Sequence, residues 1–92
     1  MNIDALTIRM NKAMNKAGVT GDVRLGLLTG GKDIEVSVPS PAPHGSADYK
    51  LAARAGAWVQ KATGLKVHVR HTSECGHTND LGTSYCWFCS CG

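Results

Sequence analysis

All four cysteines of the chain lie within its last eighteen residues, CGHTNDLGTSYCWFCSCG. Their spacing is Cys75-x10-Cys86-x2-Cys89-x-Cys91, and His77 stands two residues after the first of them. A chain of 92 residues with five aromatic side chains has only a small core. Because a bound metal ion adds folding free energy, such a cluster would supplement that core at its C-terminal end.

Zinc is the metal that this cluster favours. Structural zinc takes four thiolate or imidazole ligands in a tetrahedron, commonly as two close pairs, and the turn-rich segment 78–83 is long enough to bring two pairs together. The predicted ligands of one structural zinc ion are Cys75, Cys86, Cys89 and Cys91, with His77 as an alternate ligand. Disulfides, free thiols and an iron–sulfur cluster remain as alternatives, although the spacing matches no ferredoxin pattern.

The sequence contains no recognisable catalytic motif. A catalytic zinc keeps an open coordination position beside an acid or base, and only Glu74 and Asp80 supply carboxylates near the cysteines. Neither H-E-x-x-H nor the deaminase signature is present, and the glycines at 30 and 31 do not form a phosphate-binding loop. We therefore predict no catalytic residue and a closed, structural metal site.

Charge and hydropathy restrict the location and the partners. The net charge of +3 and the pI near 8.8 permit nucleic acid as a partner without requiring it. The N-terminal segment lacks the pattern of a secretory signal, and no window approaches eighteen apolar residues. We expect a cytoplasmic protein that does not enter a membrane, in which reduced cysteines are available to a metal.

Two segments have the apolar spacing of amphipathic helices. The first covers residues 3–17, with Asn2 as its N-cap and Gly18 as its stop. The second covers residues 46–63, begins at a serine cap and ends at the following glycine. Because an interior glycine costs helix stability, Gly56 predicts a close approach of the second helix to a neighbouring element.

Alternating apolar residues predict four strands. Residues 23–27 and 34–38 form a hairpin around the glycine-containing turn 29–32. Residues 65–71 form a third strand and residues 84–91 a fourth.

The resulting order, αββ–αββ, predicts an α+β protein built as a two-layer sandwich. We expect a four-stranded, mostly antiparallel sheet with both helices on one face and a C-terminal metal-clipped hairpin. The chain is interpreted as a single domain, 1–92, that contains a helix plus hairpin (1–38), a proline-rich connector (39–45), a helix plus strand (46–72) and a cysteine-rich metal-binding hairpin (73–92).

The same alternation places basic side chains on the outer face of the sheet. The residues predicted there as possible nucleic-acid contacts are Arg24, Lys66, His68 and Arg70. Glu35 is predicted on the same face, and a solvated sheet face with charges of both signs needs no ligand. His71 falls on the inner face at the end of its strand, where we expect a packed residue rather than a catalytic one.

The helices offer a second basic surface, although solvated lysines are ordinary on amphipathic helices. Its residues are Arg9, Lys12, Lys16, Lys50, Arg54 and Lys61. We predict a small non-enzymatic, zinc-stabilised binding or regulatory protein that contacts a protein partner, with Trp87 or Phe88 as anchors. The alternatives are a nucleic-acid-binding module that uses the basic sheet face and, less favoured, a metal-dependent enzyme.

Overall fold

A computed structural model of the chain describes residues 2–19, 21–73 and 75–82. The helices and strands of this α+β fold are α1 (Ile3–Lys16), β1 (Arg24–Leu28), β2 (Asp33–Val38), α2 (Ala47–Thr63), β3 (Lys66–Thr72) and β4 (Thr78–Asp80). A 3-10 turn, Thr29–Gly31, joins β1 to β2, and the predicted hairpin of these two strands is confirmed. Within the described ranges, neither helix has the length and apolar character needed to cross a membrane.

Both ends of α1 are set by the predicted residues. The Asn2 side chain accepts a hydrogen bond from the backbone N–H of Ala5 at 3.1 Å. Gly18, just past the other end, has φ +80°, a conformation that side chains disfavour. The buried face consists of Leu6, Met10 and Met14.

Helix α2 begins at a serine cap and approaches the sheet closely at a glycine. Its cap is Ser46, whose hydroxyl oxygen accepts from the backbone N–H of Tyr49 at 3.1 Å. Gly56 is buried, and a Cβ added there would lie 2.5 Å from Val69 Cγ2 on β3. The predicted close approach at Gly56 is therefore confirmed.

The sheet is mixed, so the prediction of a mostly antiparallel sheet is wrong at its centre. The strand order is β1-β2-β3-β4, with β1–β2 and β3–β4 antiparallel and β2–β3 parallel. The cause is α2, whose 17 residues span about 25 Å and so return the chain along the full length of β2. As a result β3 begins level with β2, and Lys66 pairs with Asp33.

The fourth strand of the described sheet is one that the sequence did not predict. The predicted strand at 84–91 and the metal-clipped hairpin it would complete lie outside the described residues. In the described part of the chain, β4 is Thr78–Asp80, within the segment predicted as a turn. Its central residue, Asn79, pairs with His71 and is buried.

The core lies between the two helices and the inner face of the sheet. Its largest fully buried side chains are Met10, Ile34, Val36, Val38, Leu51 and Val59. The end of the sheet at which β2 and β3 finish also receives the proline-rich connector 39–45, and we call it the connector end. Because α1 leads into the start of β1 at this end and α2 begins there, the two helices run antiparallel.

Candidate metal centre and charged faces

The loop between β3 and β4 lies at the connector end and is held by hydrogen bonds. The Ser73 N–H donates to the His77 carbonyl at 2.7 Å, and the Gly76 N–H donates to the Ser73 carbonyl at 2.9 Å. The Ser73 hydroxyl also donates to the His77 carbonyl at 2.9 Å, while the Asn79 amide donates to both groups at 3.4 Å. These bonds hold the backbone of the loop that contains Cys75 and His77.

Those side chains are Cys75 and His77, and they are in contact. The distance from Cys75 Sγ to His77 Nδ1 is 3.3 Å, and Ser73 Oγ lies 3.0 Å from the same sulfur. In a tetrahedral zinc site, bond lengths of about 2.3 Å to sulfur and 2.0–2.1 Å to nitrogen place the two donor atoms about 3.5 Å apart. The two donors are therefore within a few tenths of an ångström of the separation that zinc requires.

The other predicted ligands, Cys86, Cys89 and Cys91, lie outside the described residues. Over residues 2–19, 21–73 and 75–82, no group of three or more His, Cys, Asp or Glu side chains could hold a metal ion. The structure thus brings together Cys75 and His77, which is half of the set that structural zinc needs. His77, predicted as an alternate ligand, is the side chain that contacts Cys75.

The outer face of the sheet contains the four basic residues predicted there, since each alternates with a side chain directed to the core. They are Arg24, Lys66, His68 and Arg70. Lys66 stands opposite Asp33 at one end of the face, whereas Arg24 and Arg70 flank Ser37 near the connector end.

Carboxylates neutralise most of this face. The Arg70 guanidinium donates to Glu35 Oε2 at 2.7 Å and lies 3.5 Å from Asp80 Oδ1. His68 Nε2 lies 3.0 Å from Asp33 Oδ2. The face therefore has equal numbers of arginine or lysine side chains and of carboxylates, three of each.

Sequence reasoning considered Glu35 on this face but missed Asp33 and Asp80. Strand alternation could have found Asp33, which stands two residues before Glu35 on the same strand. Asp80 could not be placed because β4 was not predicted. The pairing of Arg70 with two carboxylates also depends on the strand register, which the missed parallel pairing determines.

The helical layer has the opposite character. Its six exposed cations are Arg9, Lys12, Lys16, Lys50, Arg54 and Lys61. None of the ion pairs in the described part of the chain involves them. The only helical carboxylates are Asp4 and Asp48, and Asp48 accepts a hydrogen bond from the Ser40 hydroxyl at 2.8 Å.

The net charge of the chain therefore resides on the helices. Six cations against two carboxylates leave the helices with an excess of four positive charges. The remaining four cations and five carboxylates leave the rest of the chain with one negative charge. The net charge of +3 is therefore the sum of a strongly basic helical layer and a nearly neutral remainder of the chain.

Two further histidines lie near the connector end. His71 is buried, as expected, and neither of its ring nitrogens has a hydrogen-bond partner among the described residues. His44 is exposed, and its ring centroid lies 4.6 Å from that of Tyr49.

A scan of family models, a search of curated proteins and a search of solved structures found no match to this chain. Function is accordingly inferred from the β3–β4 loop and the two charged layers.

Proposed function

We propose that the chain is a small non-enzymatic binding protein whose C-terminal region is stabilised by one structural zinc ion. The observation that carries the proposal is the 3.3 Å contact between Cys75 Sγ and His77 Nδ1 in a hydrogen-bonded loop. Two of the three remaining cysteines would complete a tetrahedral site. The all-cysteine set, in which His77 is not a ligand, is the alternative.

The position of the loop suits a structural role. Four thiolate and imidazole ligands fill the coordination shell of zinc and leave no position for a substrate. Ligands contributed by the β3–β4 loop and by the last residues would tie the C-terminal segment to the end of the sheet. A 92-residue chain gains folding free energy from such a site, and a reducing cytoplasm would keep the thiols available.

The same contact suggests a second candidate function. A thiol beside an imidazole is the arrangement of a cysteine nucleophile with its base. Both Cys75 and His77 are exposed, however, and nucleophilic sites normally exclude water. A nucleophilic thiol reacts rapidly with iodoacetamide whether or not metal is present, whereas zinc binding suppresses that reaction.

Native mass spectrometry of protein purified without chelator tests the proposal. We expect one zinc ion per wild-type chain and loss of that zinc in Cys75→Ser and His77→Ala. His68→Ala is the matched control, since His68 lies on the outer sheet face beside Asp33 and not at the loop. Removing zinc from the wild type should lower its thermal midpoint and speed the alkylation of Cys75.

Three results would count against the proposal. A wild-type chain without metal would exclude the zinc site. Zinc that persists in His77→Ala would favour the all-cysteine set. Rapid alkylation of Cys75 in zinc-loaded protein would favour the nucleophile.

The predicted contact with a protein partner depends on residues outside the described ranges, because the proposed anchor on this chain is Trp87 or Phe88. Among the described residues, the large apolar side chains that are exposed are Ile8 on α1 and Leu27 on β1. They lie on different layers of the fold and form no common apolar patch. The charge distribution is the more informative guide to the partner.

A further inference from the structure

The cations of α1 lie on its exposed side, and Arg9 among them is next to α2. The buried residues Leu6, Met10 and Met14 mark the side of α1 that faces the core. At 100° per residue, Arg9, Lys12 and Lys16 fall together to one side of that stripe. The Arg9 guanidinium carbon lies 5.7 Å from the centroid of the Trp58 ring on α2.

The cations of α2 border the same helix–helix contact. Arg54 precedes Trp58 by four residues and Lys61 follows it by three, so both share the flank of Trp58. Lys50 is one turn before Arg54. We call these six residues the basic strip: Arg9, Lys12, Lys16, Lys50, Arg54 and Lys61.

The strip is extended rather than compact. Lys50 and Lys61 are separated by eleven positions, which corresponds to about 16 Å along α2. Because the helices run antiparallel, Lys16 and Lys50 share the connector end while Arg9 lies beside Trp58 farther along. Cations from both helices therefore lie on one exposed helical layer, over a length of about 16 Å or more.

We propose that the basic strip binds the phosphate backbone of nucleic acid. The excess of four positive charges on the helices complements a polyanion. Successive phosphates of one strand are about 3.4 Å apart along a duplex, so the strip matches about five of them. Trp58 is half-buried beneath Arg9, which leaves little of its ring for base stacking, and binding should be independent of sequence.

A lipid surface fits the same strip less well. Helices that lie in a membrane interface insert an apolar face, whereas the apolar stripes of α1 and α2 are packed against the sheet. Among the described helical residues, Ile8 is the exposed large apolar side chain. The sheet face is also a poorer candidate because its cations have carboxylate neighbours.

This inference rests on the proposed function only in treating the chain as a non-enzymatic binding protein. The strip does not include Cys75 or His77, so failure of zinc binding and failure of nucleic-acid binding are separate results.

The test is fluorescence anisotropy of the full chain as purified with a labelled DNA duplex and a labelled single strand. We expect the affinity for the duplex to fall as salt rises from about 50 to 200 mM, with a log–log slope of about −4 to −5 for five phosphate contacts. Lys12→Ala/Arg54→Ala should bind at least about tenfold more weakly at low salt, with a slope about two units shallower.

The matched control is Arg24→Ala/Lys66→Ala, which removes the same charge from the outer sheet face. It should keep the wild-type affinity within about twofold. All four positions are exposed, so both variants should fold, as circular dichroism would verify.

Loss of binding in the sheet variant but not in the helix variant would overturn the proposal and restore the sheet face as the interface. Absence of wild-type binding to either nucleic acid at low salt would also overturn it. So would tighter binding to phosphatidylserine vesicles than to the duplex.

Discussion

His71 is a polar residue in an apolar position. It is 6% exposed at the end of β3, and its ring nitrogens have no partner among the described residues. A buried polar group without a hydrogen bond costs about 1–3 kcal/mol. The residue on the same rung of the sheet, Asn79, is also buried but is hydrogen-bonded to the β3–β4 loop.

Replacing His71 should therefore stabilise the protein. We expect His71→Leu to raise the free energy of unfolding by about 1 kcal/mol, since leucine fills similar space without polar atoms. Urea denaturation of the purified protein measures the change. Asn79→Leu is the comparison and should have the opposite sign, because it removes bonds that hold Ser73 and His77. Destabilisation by His71→Leu would show that the imidazole is bonded in the folded protein.

At the scale of single residues, sequence predicted the features that depend on neighbours in the chain. The Asn2 and Ser46 caps and the inward position of His71 follow from local patterns and are confirmed. The partners of Arg70 could not be predicted, because Glu35 and Asp80 reach it from two other strands.

At the scale of elements, Gly56 sets the distance between α2 and β3. Alanine normally stabilises a helix by about 1 kcal/mol relative to glycine. Here the added methyl group would meet Val69 Cγ2 at 2.5 Å, so we expect Gly56→Ala to destabilise the protein by about 1–3 kcal/mol. Equilibrium urea unfolding gives this value.

The double variant Gly56→Ala/Val69→Ala serves as the control. Because Val69→Ala removes the atom in conflict, the two changes together should cost less than the sum of their separate effects. A stabilising Gly56→Ala would mean that α2 does not approach β3 as closely as described.

The elements themselves were largely predictable, but their arrangement was not. Apolar periodicity identified both helices and the β1–β2 hairpin. The parallel pairing of β2 with β3 was missed because alternation shows which residues share a face and not the direction of a strand. The three-residue β4 was missed because Asn79 and Asp80 are typical turn residues.

At the scale of the molecule, the two layers divide the charge. The sheet face contains cations and carboxylates in contact, whereas the helices hold the positive excess. Sequence identified both basic sets but could not choose between them, because the choice depends on which cations have carboxylate neighbours. His77 was predicted as an alternate ligand to the four cysteines, and its contact with Cys75 depends on hydrogen bonds of the β3–β4 loop.

X-ray absorption at the zinc edge of the purified wild-type chain distinguishes the proposed ligand sets. If His77 and Cys75 bind the same ion, as we propose, the shell contains one nitrogen at about 2.0–2.1 Å and three sulfurs at about 2.3 Å. A shell of four sulfurs without nitrogen, or a chain that contains no zinc, would contradict this proposal.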